Sequence, residues 1–114
     1  MAIPHPVPDA LADLIADRFR VLAEPMRIRL LDQLRDGPMA VGALAMALDT
    51  SQQNVSKHLS LLFRADIVSR TRVGNEVHYA IADKTVFDLC EHVCGGIQER
   101  LRELSELIGE EVPS

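Results

Sequence analysis

The residue types able to do chemistry gather in one stretch of the chain. Ser51, Gln52, Gln53, Asn54, Ser56, Lys57 and His58 follow almost without interruption, and Arg70 and Arg72 come shortly after. Amide, hydroxyl, ammonium and guanidinium groups hydrogen-bond base edges and phosphate oxygens. The set reads as a recognition surface. Its chemistry is recognition of a polyanion and of the bases it carries. A second set is Cys90 and Cys94. At i and i+4 of a helix both sulfurs fall on one face, where two thiolates can chelate one thiophilic metal or metalloid ion. Oxidation is a second reading of the pair, and burial as small hydrophobes is a third. Two donors are too few for tetrahedral zinc. Cysteines of a second subunit, or His5 or His92, could complete a site, although His92 faces away from the pair on a regular helix. A disulfide within one helix would be strained at this spacing, and one between subunits less so. Catalysis finds no support. Cys90 and His92 lie on different helix faces, so no base is placed beside a nucleophile. No glycine loop to cradle phosphate and no cleft of paired carboxylates is evident.

These residues need elements to hold them. Val55, Leu59 and Leu62 recur at helical spacing, so the stretch that begins at Ser51 reads as an amphipathic helix with Ser51 as its N-cap. Before it, Val41 to Leu48 reads as a short apolar helix, with Leu44 and Leu48 one turn apart and Ala45 small enough for a close crossing. Two short helices around the polar break Asp49-Thr50 suggest a helix-turn-helix. After it, 67–73 and 76–82 flank Gly74-Asn75, the signature of a two-residue β-hairpin. Upstream, Leu11, Leu14, Ile15, Phe19 and Leu22 predict a helix over about 10–23, capped by Asp9. Pro25 suits the first turn of a second helix over about 25–35, with Ile28, Leu30, Leu31 and Leu34 as buried candidates. Residues 1–8 carry three prolines and no periodicity, and read as a flexible arm. Asp83 is placed to cap a last helix of about 24 residues, roughly 36 Å long. Its apolar stripe runs through Val86, Leu89, Cys90, Val93, Cys94, Ile97, Leu101, Leu104 and Ile108. One small core cannot cover such a stripe, which implies a partner helix from a second subunit. The expected domain therefore spans 9–110, with 83–110 as its dimerisation helix.

Bulk properties bound the rest. A chain of 114 residues makes one domain with a modest core. Its start lacks a basic segment followed by an apolar block, and no apolar run reaches membrane-spanning length. Two cysteines make no disulfide framework, so a cytoplasmic chain is expected. Absence of Trp argues against an aromatic platform for single strands. The net charge of −5 argues at first against DNA. Its distribution reverses that. Residues 51–82 hold four Lys/Arg against two Asp/Glu, the only net-positive third of the chain. A local basic face binds DNA on an acidic protein, weakly when non-specific and with marked salt sensitivity.

Three ordered segments resemble the ArsR/SmtB family of bacterial winged-helix repressors. They are Leu22-Ala23-Glu24-Pro25-Met26-Arg27-Ile28-Arg29-Leu30-Leu31, then Leu44-Ala45 with Ser51 to Leu59, then Ala65-Asp66-Ile67-Val68 with Arg72-Val73-Gly74 and Val77-His78-Tyr79. The resemblance covers about residues 10–105. It implies a mainly α fold of five helices with a small β-hairpin wing, a winged helix-turn-helix dimerised through its first and last helices. It implies two recognition helices in successive major grooves and repression relieved by a ligand or oxidant. Carried over by position, Ser51, Gln52, Gln53, Ser56, Lys57 and His58 face DNA, with Arg72 on the wing. His58 also reads as a packing residue at the helix base, and Arg70 as a solvated strand residue. The chain departs from the family at its metal sites. The paired thiols of the third helix are missing from Pro38-Met39-Ala40-Val41-Gly42-Ala43-Leu44, and the histidines of the last-helix zinc site are missing from Asp83-Lys84-Thr85 and Gly96-Ile97-Gln98-Glu99. Cys90 and Cys94 are what remains. A dimeric protein-interaction module, antitoxin-like and without specific operator binding, is the alternative reading of the same long apolar helix.

Overall fold

The computed structural model describes residues 3–109. Residues 1, 2 and 110, which the expected arm and domain end include, lie outside the described residues. The chain divides into two compact units, the first ending at Asp83 and the second beginning at Lys84.

The first unit runs α1 (Asp9–Leu22), α2 (Pro25–Gln33), a single 3-10 turn (Leu34–Asp36), β1 (Met39–Ala40), α3 (Val41–Ala47), α4 (Gln52–Arg64), β2 (Val68–Val73) and β3 (Glu76–Ile81). Pro25 opens α2 directly after Glu24, where a missing N–H costs nothing. Asp9 does not cap α1 as expected. Pro8 occupies the cap, its carbonyl accepting from Ala12 at 3.0 Å, and Asp9 becomes the first helical residue. There its charge still complements the positive end of the helix dipole.

α3 and α4 end in the same way. Asp49 and Asp66 adopt left-handed backbones, with φ of 51° and 59°. After α3, Asp49 N–H reaches the Met46 carbonyl and Thr50 N–H the Ala45 carbonyl. After α4, Asp66 N–H reaches Phe63 and Ile67 N–H reaches Leu62. Both are Schellman closures, in which aspartate takes a place usually given to glycine. Each turns the chain sharply, from α3 into α4 and from α4 into the sheet.

The sheet has three antiparallel strands in the order β1-β3-β2. The hairpin was legible. Its register runs from Val68 opposite Ile81 to Val73 opposite Glu76, leaving Gly74-Asn75 as the loop. Gly74 sits at φ 62°, a conformation that a side chain would strain. The third strand, β1, was not expected. Met39 pairs with Tyr79 and Ala40 with His78, and two residues are too short to show an alternating pattern.

The core of this unit is Leu30, Leu31, Leu34, Leu44, Val55, Leu59, Leu62, Ile67 and Val68, each at most 2% exposed. Burying each such side chain contributes about 1.5–3 kcal/mol. Ile28, an expected core residue, is 46% exposed. At about 100° per residue it lies well round α2 from the centre of the Leu30-Leu31-Leu34 stripe.

The second unit is built on α5 (Thr85–Ile108), 24 residues as expected. The N-cap position falls one residue after Asp83. Lys84 is the cap residue and supplies no side-chain bond. Val93, Ile97, Leu101, Leu104 and Ile108 form a stripe in which each residue is 43–67% exposed. Among the described residues no helix is long and apolar enough to cross a membrane.

Candidate nucleic-acid interface

The start of α4 is built by its own polar residues. Ser51 Oγ accepts the Asn54 N–H at 3.0 Å, and Asn54 Nδ2 donates to Thr50 Oγ1 at 3.0 Å. Ser51 caps the helix as its position predicted. Ser51 and Asn54 therefore use polar atoms to hold the turn, and Asn54 is half-buried. Gln52, Gln53 and Lys57 are exposed and Ser56 is half-buried. At about 100° per residue these four share one helix face. Val55, Leu59 and Leu62 point the other way, into the core.

His58 goes with the core side and leaves the DNA-facing set. It is only 7% exposed, and its Nδ1 accepts from Arg27 Nε at 3.2 Å. An accepting Nδ1 places the proton of the neutral ring on Nε2. Burial, and then the adjacent Arg27 and Lys57 cations, lower its pKa below 6.5, with Glu24 opposing. The stripe that buries Val55 and Leu62 takes His58 with it, because position 58 lies between them on the helix.

Arg70 and Arg72 are exposed and alternate on one face of β2, opposite Tyr79 and Val77 of β3. A groove of about 420 Å³ separates Ser56 of α4 from Arg70, Arg72 and Val77 of the wing. Helix and wing thus bring two polar surfaces to a shared hollow. The Arg70 guanidinium lies 4.1 Å from the centre of the Phe63 ring, a cation–π stack that fixes the side chain against α4. Arg70 is therefore more than a solvated strand residue. Phe63 was not singled out from sequence, since an aromatic at the end of an amphipathic helix signals only packing.

Cys90 is half-buried and Cys94 exposed, both on α5. Burial pushes the Cys90 thiol pKa up, away from the reactive thiolate. Among the described residues no group of three or more His, Cys, Asp or Glu is placed to hold a metal ion. Among the described residues the two sulfurs thus have no third ligand placed beside them. The pair does not fit tetrahedral zinc.

Known proteins place this arrangement. A helix-turn-helix domain family matches residues 22–71. The transcriptional repressor SmtB of Mycobacterium tuberculosis is 40% identical over 80 residues, a match covering 70% of this chain and 59% of that protein. The chain thus spans well under two thirds of that relative's length. The crystal structure of the antimony-specific repressor AntR superposes with a TM-score of 0.77 at 34% identity, covering 87% of this chain and 90% of that one. The homodimeric winged helix-turn-helix DNA-binding domain of a possible ArsR-family regulator from Mycobacterium bovis superposes with a TM-score of 0.74 at 30% identity, covering 88% and 95%. With five helices and a three-stranded sheet, and with relatives at this identity and coverage, the chain belongs to the ArsR/SmtB family of winged helix-turn-helix transcriptional regulators.

Proposed function

We propose that the chain is a cytoplasmic, homodimeric operator-binding repressor and not an enzyme. The observation that carries this reading is the free polar face of α4, Gln52, Gln53, Ser56 and Lys57, set beside the groove that Arg70 and Arg72 close. Gln53 and Ser56 read base edges in the major groove, and Gln52 and Lys57 reach base or backbone beside them. Arg72 and Arg70 bind phosphate along the wing. Ser51 and Asn54 support the helix start, and a contact from either to DNA comes through the backbone it holds. Dimerisation through α1 and α5 is supported by the exposed stripe of α5 and by Leu14 and Phe19 of α1, which are 66% and 50% exposed. Residues 9–110 form the winged domain, with 83–110 as its dimerisation helix and 1–8 as an arm.

The inducer acts at Cys90 and Cys94. A thiophilic metal or metalloid ion, or an oxidant, is the class of agent that two neighbouring sulfurs would answer. Because the described residues of one copy bring only two donors together, a complete ion site draws on both copies.

Binding to DNA from upstream of the protein's own gene, titrated against salt, tests the reading. Tight sequence-dependent binding that weakens steeply with salt is expected. Release by Cd(II), arsenite or peroxide is expected for the native protein and not for Cys90→Ser with Cys94→Ser. Indifference to sequence would favour the interaction-module alternative. Release that survives the double substitution would place the sensor elsewhere.

A further inference from the structure

α1 touches the recognition helix through arginines at two points. Arg27, just inside α2, donates from Nη1 to the Val21 carbonyl of α1 at 2.9 Å and from Nε to His58 of α4 at 3.2 Å. One guanidinium thus joins the last turn of α1 to the middle of α4. Arg18, one turn earlier on α1, donates from Nη1 to the Ala65 carbonyl at 2.6 Å, and its Nη2 lies 3.5 Å from Asp83. Ala65 is the C-cap of α4, and its carbonyl belongs to the negative end of that helix. Asp83 lies two residues before α5 in the chain. The two ties bridge long sequence separations and end on the same helix.

We propose that Arg18 and Arg27 are positioning residues that lock the recognition helix to α1, so that dimer geometry sets which half-site spacing the protein reads. The inference rests on the reading of α4 as the DNA-reading helix and of α1 as part of the dimer interface. Two recognition helices meet half-sites about 34–36 Å apart only if each is held rigidly to the element that joins the copies. One tie would leave α4 free to pivot. Two ties, at its middle and its C-terminal end, remove that freedom and leave its N-terminal turns to present Gln53 and Ser56. The buried Val55, Leu59 and Leu62 hold α4 in the core, but apolar contacts supply no directional tie to α1. The planar fork of arginine supplies direction.

The test measures affinity of the full chain for its operator and for the same operator with one base pair inserted between the half-sites. Arg18→Met and Arg27→Met keep the alkyl stems and remove the donors. Light scattering and thermal unfolding confirm that each variant is a folded dimer. Affinity for the natural spacing should fall about tenfold while affinity for the altered spacing changes little, so that the spacing preference shrinks. Arg18→Lys, the milder change should Arg18→Met not fold, keeps the charge but cannot serve Ala65 and Asp83 with one fork, and should lose part of the preference. Folded dimers that keep the native preference overturn the proposal, as does an equal loss on both operators, which marks a purely structural role. Native protein that shows no spacing preference overturns it too, and points instead to failure of the dimeric operator-binding reading.

Discussion

At the scale of single residues, neighbours on α4 divide their labour according to which face they occupy. Gln53 is exposed on the free face, and Arg72 stands across the groove on the wing. Gln53→Ala should lower discrimination between operator and mutated operator by about 1–3 kcal/mol if the amide pairs bidentately with a base. Arg72→Ala should weaken binding to every sequence alike and reduce the salt slope by about one. Competition binding across salt concentrations separates the two, and a changed preferred sequence in Arg72→Ala would sink the phosphate assignment. His58 carries a different prediction. Its folded pKa lies below the ordinary 6.5, so the unfolded chain takes up the proton more readily. Its contribution to stability is complete above pH 6.5 and is lost as pH falls from there toward the folded pKa. Protonation would also replace an accepting Nδ1 with a donor facing Arg27. His58→Gln, which cannot titrate, should show a shallower fall in urea midpoint between about pH 7 and pH 5 than the native chain.

At the scale of elements, the aspartates that close α3 and α4 decide how helix-turn-helix and wing are joined. Asp66 holds φ 59° where Ile67 must turn into the core as the sheet begins. A β-branched residue is strained there, so Asp66→Val should destabilise by about 1–2 kcal/mol. Asp66→Gly relieves the strain and loosens the unfolded chain, leaving stability within about 1 kcal/mol of native. Denaturant unfolding of the pair decides the matter. Equal losses in both variants would mean that the aspartate side chain, and not the backbone angle, matters at this position.

At the scale of the whole molecule, α5 presents more apolar surface than a monomer in water should leave uncovered. Ile97 is 55% exposed at the middle of the stripe. Ile97→Glu places a charge there, which a dimer interface would have to bury without a partner. Light scattering at micromolar concentration should give about twice the chain mass for the native protein and about one chain for the variant. Operator affinity should fall with it, since each copy then holds one half-site. A native monomer would refute the dimer and the two-half-site arrangement together.

Much of this was written in local pattern. Val55, Leu59 and Leu62 at helical spacing, Ser51 before them, Gly74-Asn75 between alternating strands and the long stripe from Val86 to Ile108 each announce an element, because periodicity and turn chemistry act between near neighbours. The polar face of α4 was legible for the same reason. What local pattern could not decide were contacts between residues distant in sequence. β1 becomes a strand only because β3 lies beside it, Ile28 is exposed because α2 turns Leu30 and Leu31 inward, and the buried His58 gains a donor only because Arg27 lies beside it. A capping aspartate also competes with its neighbours, and at Asp9 the backbone of Pro8 took the cap instead. The sequence by itself determined the five helices, the hairpin and which face of α4 offers a polar surface. Only the tertiary structure decided which polar residues remain free to use it, because a hydrogen bond such as Arg18 to Ala65 depends on where two remote segments come to rest.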